Sequence, residues 1–124
     1  MTVRIQSIKN KAWIADQCEV AESFLDRLKG LIGKKTMLSG QGLLLHPCND
    51  IHMWFMSMSI DVVFVKKLST EKGQNRYLVT SVREHLKPWK LMPVRDWKAS
   101  ATLELPPGTI RKCDICSGDE LCIN

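Results

Sequence analysis

The sequence predicts a mainly β protein, a compact jelly-roll-like or barrel-like β-sandwich with one amphipathic helix near its N-terminal third. Three observations predict it. Short runs rich in Val, Ile, Thr and aromatic residues recur at close spacing, bounded by Gly, Pro, Asn and Ser. An apolar period of three and four residues is sustained once, around residues 20–31. No repeat, linker or low-complexity segment divides the 124 residues, which suits a single domain over 1–124.

The elements follow in order. "VRIQSI" (3–8) and "AWIADQ" (12–17) form two strands with a turn at Asn10 and Lys11. Ala21, Phe24, Leu25, Leu28 and Leu31 then fall on one helical face, with Glu22, Asp26, Arg27 and Lys29 opposite, and Gly30 and Gly33 as stops. "LLLH" (43–46) is an apolar run ended by Pro47, and strands are expected over 51–56 and 60–66. "LSTEKGQN" (68–75) reads as a loop and "RYLVTSV" (76–82) as a strand. The Pro- and Trp-containing stretch 87–97 is irregular. "SATLEL" (100–105) alternates, with Ala101, Leu103 and Leu105 inward and Thr102 and Glu104 outward. "TIRKCDI" (109–115) and "ELCIN" (120–124) are the last expected strands.

Composition narrows the function classes. With 44% hydrophobic and 25% charged residues, the chain is globular rather than disordered. Its net charge of +5 comes from scattered pairs such as Lys34 and Lys35 or Lys66 and Lys67. A nucleic-acid surface would concentrate such charge in one stripe with stacking aromatics, so nucleic acid is not the expected partner. Five cysteines without an apolar leader sequence point to free thiols in the cytoplasm, and no apolar run is long enough to span a membrane.

The ordered set of motifs "RLKGLIGKK" (27–35), "GLLL" (42–45), "IHMWFMSMSIDVVFV" (51–65), "KPWK" (87–90), "LELPPGTI" (103–110) and "SGDEL" (117–121) resembles the domain of unknown function number 192 family. The resemblance runs from about Ala21 to Ile123. It implies the same mainly β domain and no assigned activity. Positions typical of the family would include Gly30, Gly42, His52, Met56, Asp61, Pro88, Trp89, Glu104, Gly108, Gly118 and Asp119. Met58 and Ser59 depart from the pattern, and Cys113 and Cys116 lie outside it.

Candidate site residues are ranked by their chemistry. Asp61 interrupts an apolar run, so it must be hydrogen-bonded or paired, to Arg95, Arg27, His52 or backbone N–H groups. Structurally it would tie down a loop; functionally it would join His52 at the centre of a pocket. Glu104 falls on the polar face of its strand, where a solvated role is the simplest, although the resemblance favours a pairing. Asp61 and Glu104 could divide acid and base roles if they met. Trp89 suits either a partner surface or a lid. His52, Met56 and Met58 on one strand face make a soft set for Cu(I), but core packing is the simpler account of such methionines. Cys113 and Cys116 are half of a zinc motif without a second half.

The function expected from these residues is a non-enzymatic binding module for a small ligand or protein partner. It would use His52, Met56, Asp61, Trp89 and Glu104, and no cofactor. The alternatives are a small hydrolase-like enzyme using Asp61 with His52 or Glu104, and a soft-metal or zinc protein. No P-loop, nucleophile elbow or dinucleotide glycine motif is present.

Overall fold

The structure, a computed structural model, describes residues 2–22, 36–51, 58–88 and 94–124. Seven strands close into a barrel: β1 (Thr2–Ser7), β2 (Trp13–Ala21), β3 (Gln41–Leu45), β5 (Ile60–Glu71), β6 (Gln74–Leu86), β8 (Ala101–Leu105) and β9 (Glu120–Ile123). Their order around the barrel is β1-β2-β3-β8-β5-β6-β9. β4 (Asp50–Ile51) and β7 (Val94–Arg95) form a separate two-stranded sheet. Among the described residues the single helix is α1 (Thr109–Lys112).

All seven barrel strands contribute to one interior cluster. Ile5, Cys18, Leu44, Val63, Val79, Leu103 and Leu121 are each buried there. A second cluster lies on the outer face of β3, β8 and β5. Leu43, Leu45, Ile60, Val62 and Phe64 pack there beneath Ile51, Met58, Val94 and Ala99. The sheet is therefore covered on both sides where β8 and β5 pair, and all residues from Ile60 to Val65 are buried.

Several expectations are corrected. The mainly β, barrel-like form is as expected, but the barrel is closed and is not a sandwich. β9 pairs with both β1 and β6, so the sheet closes on itself and leaves no open end to stack. Of the helix expected over 20–31, Val20 and Ala21 belong instead to β2, paired in parallel with Leu44 and Leu45, and the described helix lies in the C-terminal part of the chain rather than its N-terminal third. Residues 23–31 lie outside the described residues, as do 52–56 of the expected strand 51–56. The loop expected over 68–75 shrinks to a turn at Lys72 and Gly73, with φ 52° and 77°, and β5 and β6 run up to it on either side. Two successive residues with positive φ match the twist of a tight hairpin. "TIRKCDI" is helical at its start rather than a strand, for a reason that lies in Asp61. Within "ATLEL", Ala101, Leu103 and Leu105 face the interior as expected, but Thr102 and Glu104 are buried too, beneath the outer cluster.

Gly42 marks a close approach inside the barrel. A Cβ there would meet Leu105 Cδ2 at 3.2 Å and Cys18 Sγ at 3.4 Å, so glycine lets β3 close against β8.

Candidate functional site

Asp61 is fully buried at one end of the barrel interior. Its Oδ1 accepts the His85 N–H at 2.9 Å. Its Oδ2 accepts the Gly108 N–H at 3.0 Å and the Ile110 N–H at 2.9 Å. Two local irregularities present these donors. Between the pairs Ile60–Leu86 and Val62–Arg83, β6 carries an extra residue, and His85 turns to φ 50°. Such a bulge re-aims the backbone out of the ladder. On the other side, Gly108 at φ 93° caps α1 and exposes the first N–H groups of the helix. A carboxylate accepting backbone N–H groups makes strong, charge-assisted bonds. Asp61 therefore ties together β5, the β6 bulge and the start of α1; of its expected partners the backbone N–H groups engage it, and Arg27 and His52 lie outside the described residues.

Glu104 is built differently. It is 5% exposed, and its Oε2 has no hydrogen-bond partner among the described residues. Burial pushes its carboxyl up to about 7. The neighbouring hydroxyl on the same face, Thr102 Oγ1, donates to the Cys48 carbonyl at 2.9 Å. Asp61 pairs with Leu105 and Glu104 with Val62, one residue further along each strand, so the two carboxylates face opposite sides of the sheet. They cannot act as a coupled acid and base.

The strand pairings set Glu104 in a row across the outer face: Thr2, Glu19, Leu43, Glu104, Val62 and Arg83. At the Glu19 end of the row is a cleft of about 290 Å³ lined by Thr2, Gln17, Glu19, Thr36, Met37, Gln41 and Gly42. Its volume is at the small end of the range for ligand sites. Met37 lines the cleft and also packs on the outer cluster that contains Leu43 and Val62. At the other end Arg83 lies over the Phe64 ring, 5.6 Å from its centroid, and donates to the Val82 carbonyl.

The remaining candidates separate. Met58 is buried in the outer cluster as a core residue. Cys113 is buried and Cys116 exposed, both free thiols, and burial pushes the Cys113 thiol up. Among the described residues no three His, Cys, Asp or Glu side chains gather as a metal site. His52, Met56 and Trp89 lie outside the described residues.

One polar network escaped the sequence analysis. Asp96 Oδ2 accepts hydroxyls from Thr80 and Ser81, each at 2.6 Å, and its Oδ1 accepts the Lys98 N–H at 2.9 Å. Burial alone would raise this carboxyl, but the hydrogen bonds from Ser81, Thr80 and Lys98 and the charge of Arg83 hold it below the usual range. A bulge between Phe64 and Val65 brings Thr80 and Ser81 to the same partner. "DWK" (96–98) is a plausible Asx turn in sequence, but nothing local announces the bulge.

The family model DUF192, described as "Uncharacterized ACR", matches residues 5–123. The chain belongs to the DUF192 family. No curated protein matches it. Two solved structures share the fold of this DUF192 protein. One, from Sinorhizobium meliloti 1021 and described as a "putative transcription regulator", aligns with TM-score 0.74 and 20% identity over 96% of this chain and 89% of that one. The other, a protein of unknown function from Novosphingobium aromaticivorans DSM 12444, aligns with TM-score 0.77 and 18% identity over 98% of this chain and 83% of that one. At these identities the likeness is one of fold. No helix among the described residues is long and apolar enough to cross a membrane.

Proposed function

We propose that this DUF192 protein is a non-enzymatic binding module whose recognition centre is Glu104 rather than Asp61. The observation that carries this reading is the buried, unpartnered Oε2 of Glu104. Buried polar atoms are nearly always hydrogen-bonded, and an exception calls for an explanation such as a ligand. Asp61 needs none, because three backbone donors already engage its two oxygens. The cleft beside Glu19 and Met37 lies at the other end of the row of paired residues that leads through Leu43 to Glu104. Five free thiols accord with a cytoplasmic setting for this activity.

A thermal-shift screen of small polar compounds, run in parallel on the wild type and Glu104→Gln, tests the reading. Compounds that raise the melting temperature of the wild type and leave the variant unmoved support it. If every active compound stabilises both proteins equally, the recognition centre lies elsewhere.

A further inference from the structure

We infer that the two-stranded β4–β7 sheet is a pH-sensitive flap over the outer face of the barrel, and that loss of the Glu104 proton lifts it. The burial of Glu104 carries this, with no ligand required, so it stands apart from the binding reading above. Three observations support it.

First, the closed fold has no place for a charge at Glu104. Its Oε2 is buried without a hydrogen-bond partner among the described residues. Leu43 and Val62 flank it in the sheet, and the Thr102 hydroxyl on the same face is directed to the Cys48 carbonyl. A neutral carboxyl tolerates such a position far better than a carboxylate, which has lost its hydration and gained no donor.

Second, no neighbour offsets that charge. β3 and β5 present Leu43, Leu45, Val62 and Phe64 to the outer cluster. Among the described residues, β2 brings Glu19 to this face, and the segment from β3 to β4 carries His46, Cys48 and Asp50. Arg83 of β6 lies over Phe64 and donates to the Val82 carbonyl. Arg95 of β7 lies over the Trp97 ring, 4.6 Å from its centroid. Beyond β7, Asp96 is engaged by Thr80, Ser81 and the Lys98 N–H. Burial is what raises the Glu104 carboxyl, and no charge among the described residues adds to it or opposes it.

Third, the flap is separate from the barrel ladders. β4 and β7 pair with each other at two positions, Asp50 with Arg95 and Ile51 with Val94, and neither joins the seven-stranded sheet. The hydrogen bonds that hold it down include Cys48 N–H to the Ser100 carbonyl, the Thr102 hydroxyl to the Cys48 carbonyl, and those of Asp96. The barrel keeps its own cluster on the other side of the sheet. Lifting Ile51 and Val94 therefore admits water to the outer face without breaking a barrel ladder. Small units with few ties open at lower free energy than the whole fold.

The sign of the pH effect follows. With the flap closed, Glu104 keeps its proton up to about 7; open and hydrated, it returns to the ordinary 4.5. Opening releases one proton to solvent between these values. It becomes about tenfold easier per pH unit, up to about 300-fold in all, and levels above 7.

The experiment is amide hydrogen exchange from about pH 5 to about pH 8, with and without dilute urea, each rate divided by its intrinsic rate. It is run on the wild type, Glu104→Gln and Glu104→Leu. The amides of Cys48 and Asp96 report the flap, and those of β1 and β9, across the barrel, report global unfolding. In the wild type, flap protection should fall up to about 300-fold with rising pH, stay below that of β1 and β9, and be unmoved by urea. Both variants should lose the fall. If the fall persists in the variants, or is absent from the wild type, Glu104 does not control the flap. If the flap amides exchange together with β1 and β9 and share their urea dependence, the charge loosens the whole protein and the flap is overturned.

Discussion

Asp61 and Glu104 occupy adjacent strands of one sheet and face opposite sides of it, Asp61 into the barrel and Glu104 beneath the outer cluster. The first accepts three backbone N–H groups; the second has an oxygen with no partner among the described residues. Two buried carboxylates so close in the sheet thus have opposite energetic standing.

Asp61→Asn should destabilise the protein by about 3 kcal/mol, because the amide leaves buried N–H groups facing an N–H donor instead of an acceptor. Urea unfolding gives the magnitude, and faster amide exchange at His85, Gly108 and Ile110 locates it. A variant within experimental error of the wild type would show that Asp61 does not hold these elements together.

Glu104 makes stability depend on pH in a direction opposite to that of most carboxylates. Its folded value of about 7 lies above the ordinary 4.5. Between these values the folded state holds the proton that the unfolded state has lost, so stability falls as pH rises from about 4.5 to about 7 and then levels. The lost stability is on the order of 3 kcal/mol. Glu104→Gln should lack this slope and be the more stable protein at pH 8. Subtracting the variant's stability–pH curve from that of the wild type isolates the effect, and a flat difference would contradict it.

Gly108→Ala should cost about 1–2 kcal/mol, the penalty of a left-handed conformation for a residue with a Cβ. The cost is wholly a backbone one: φ is 93°, and an added Cβ would meet nothing within 4 Å. The Gly108 N–H to Asp61 should survive, so the loss should be smaller than that of Asp61→Asn. A loss equal to or greater than that of Asp61→Asn would mean that the cap, rather than the carboxylate, organises α1.

The thiols should react in the order of their burial. Cys116 is exposed and should be alkylated by iodoacetamide in the native protein. Cys18 is fully buried, with its thiol pushed up to about 12 by burial, and should react only on unfolding. Mass spectrometry of protein quenched at successive times gives the order. Native labelling of Cys18 ahead of Cys116 would contradict the packing of β2 against β3.

The strands were legible because their signal is local. In "VRIQSI" and the apolar core of β5, period and β-branching alone identify the element, and Asp61 is recognisable as buried because an apolar run surrounds it. Closure of the barrel was not legible, because it depends on β9 pairing with β1 from the far end of the chain, and nothing in "ELCIN" names its neighbours. "TIRK" has β-branched residues that suit a strand, yet it winds into a helix, its first turn anchored through a carboxylate 49 residues before Ile110. The burial of Glu104 was hidden for the same reason. Alternation in "ATLEL" separates two faces correctly, but whether the second face meets water depends on Ile51, Met58 and Val94, which reach it from elsewhere in the chain. Periodicity tells which side chains share a face; only packing between distant segments settles which faces are dry, and with that which carboxyl is left without a partner.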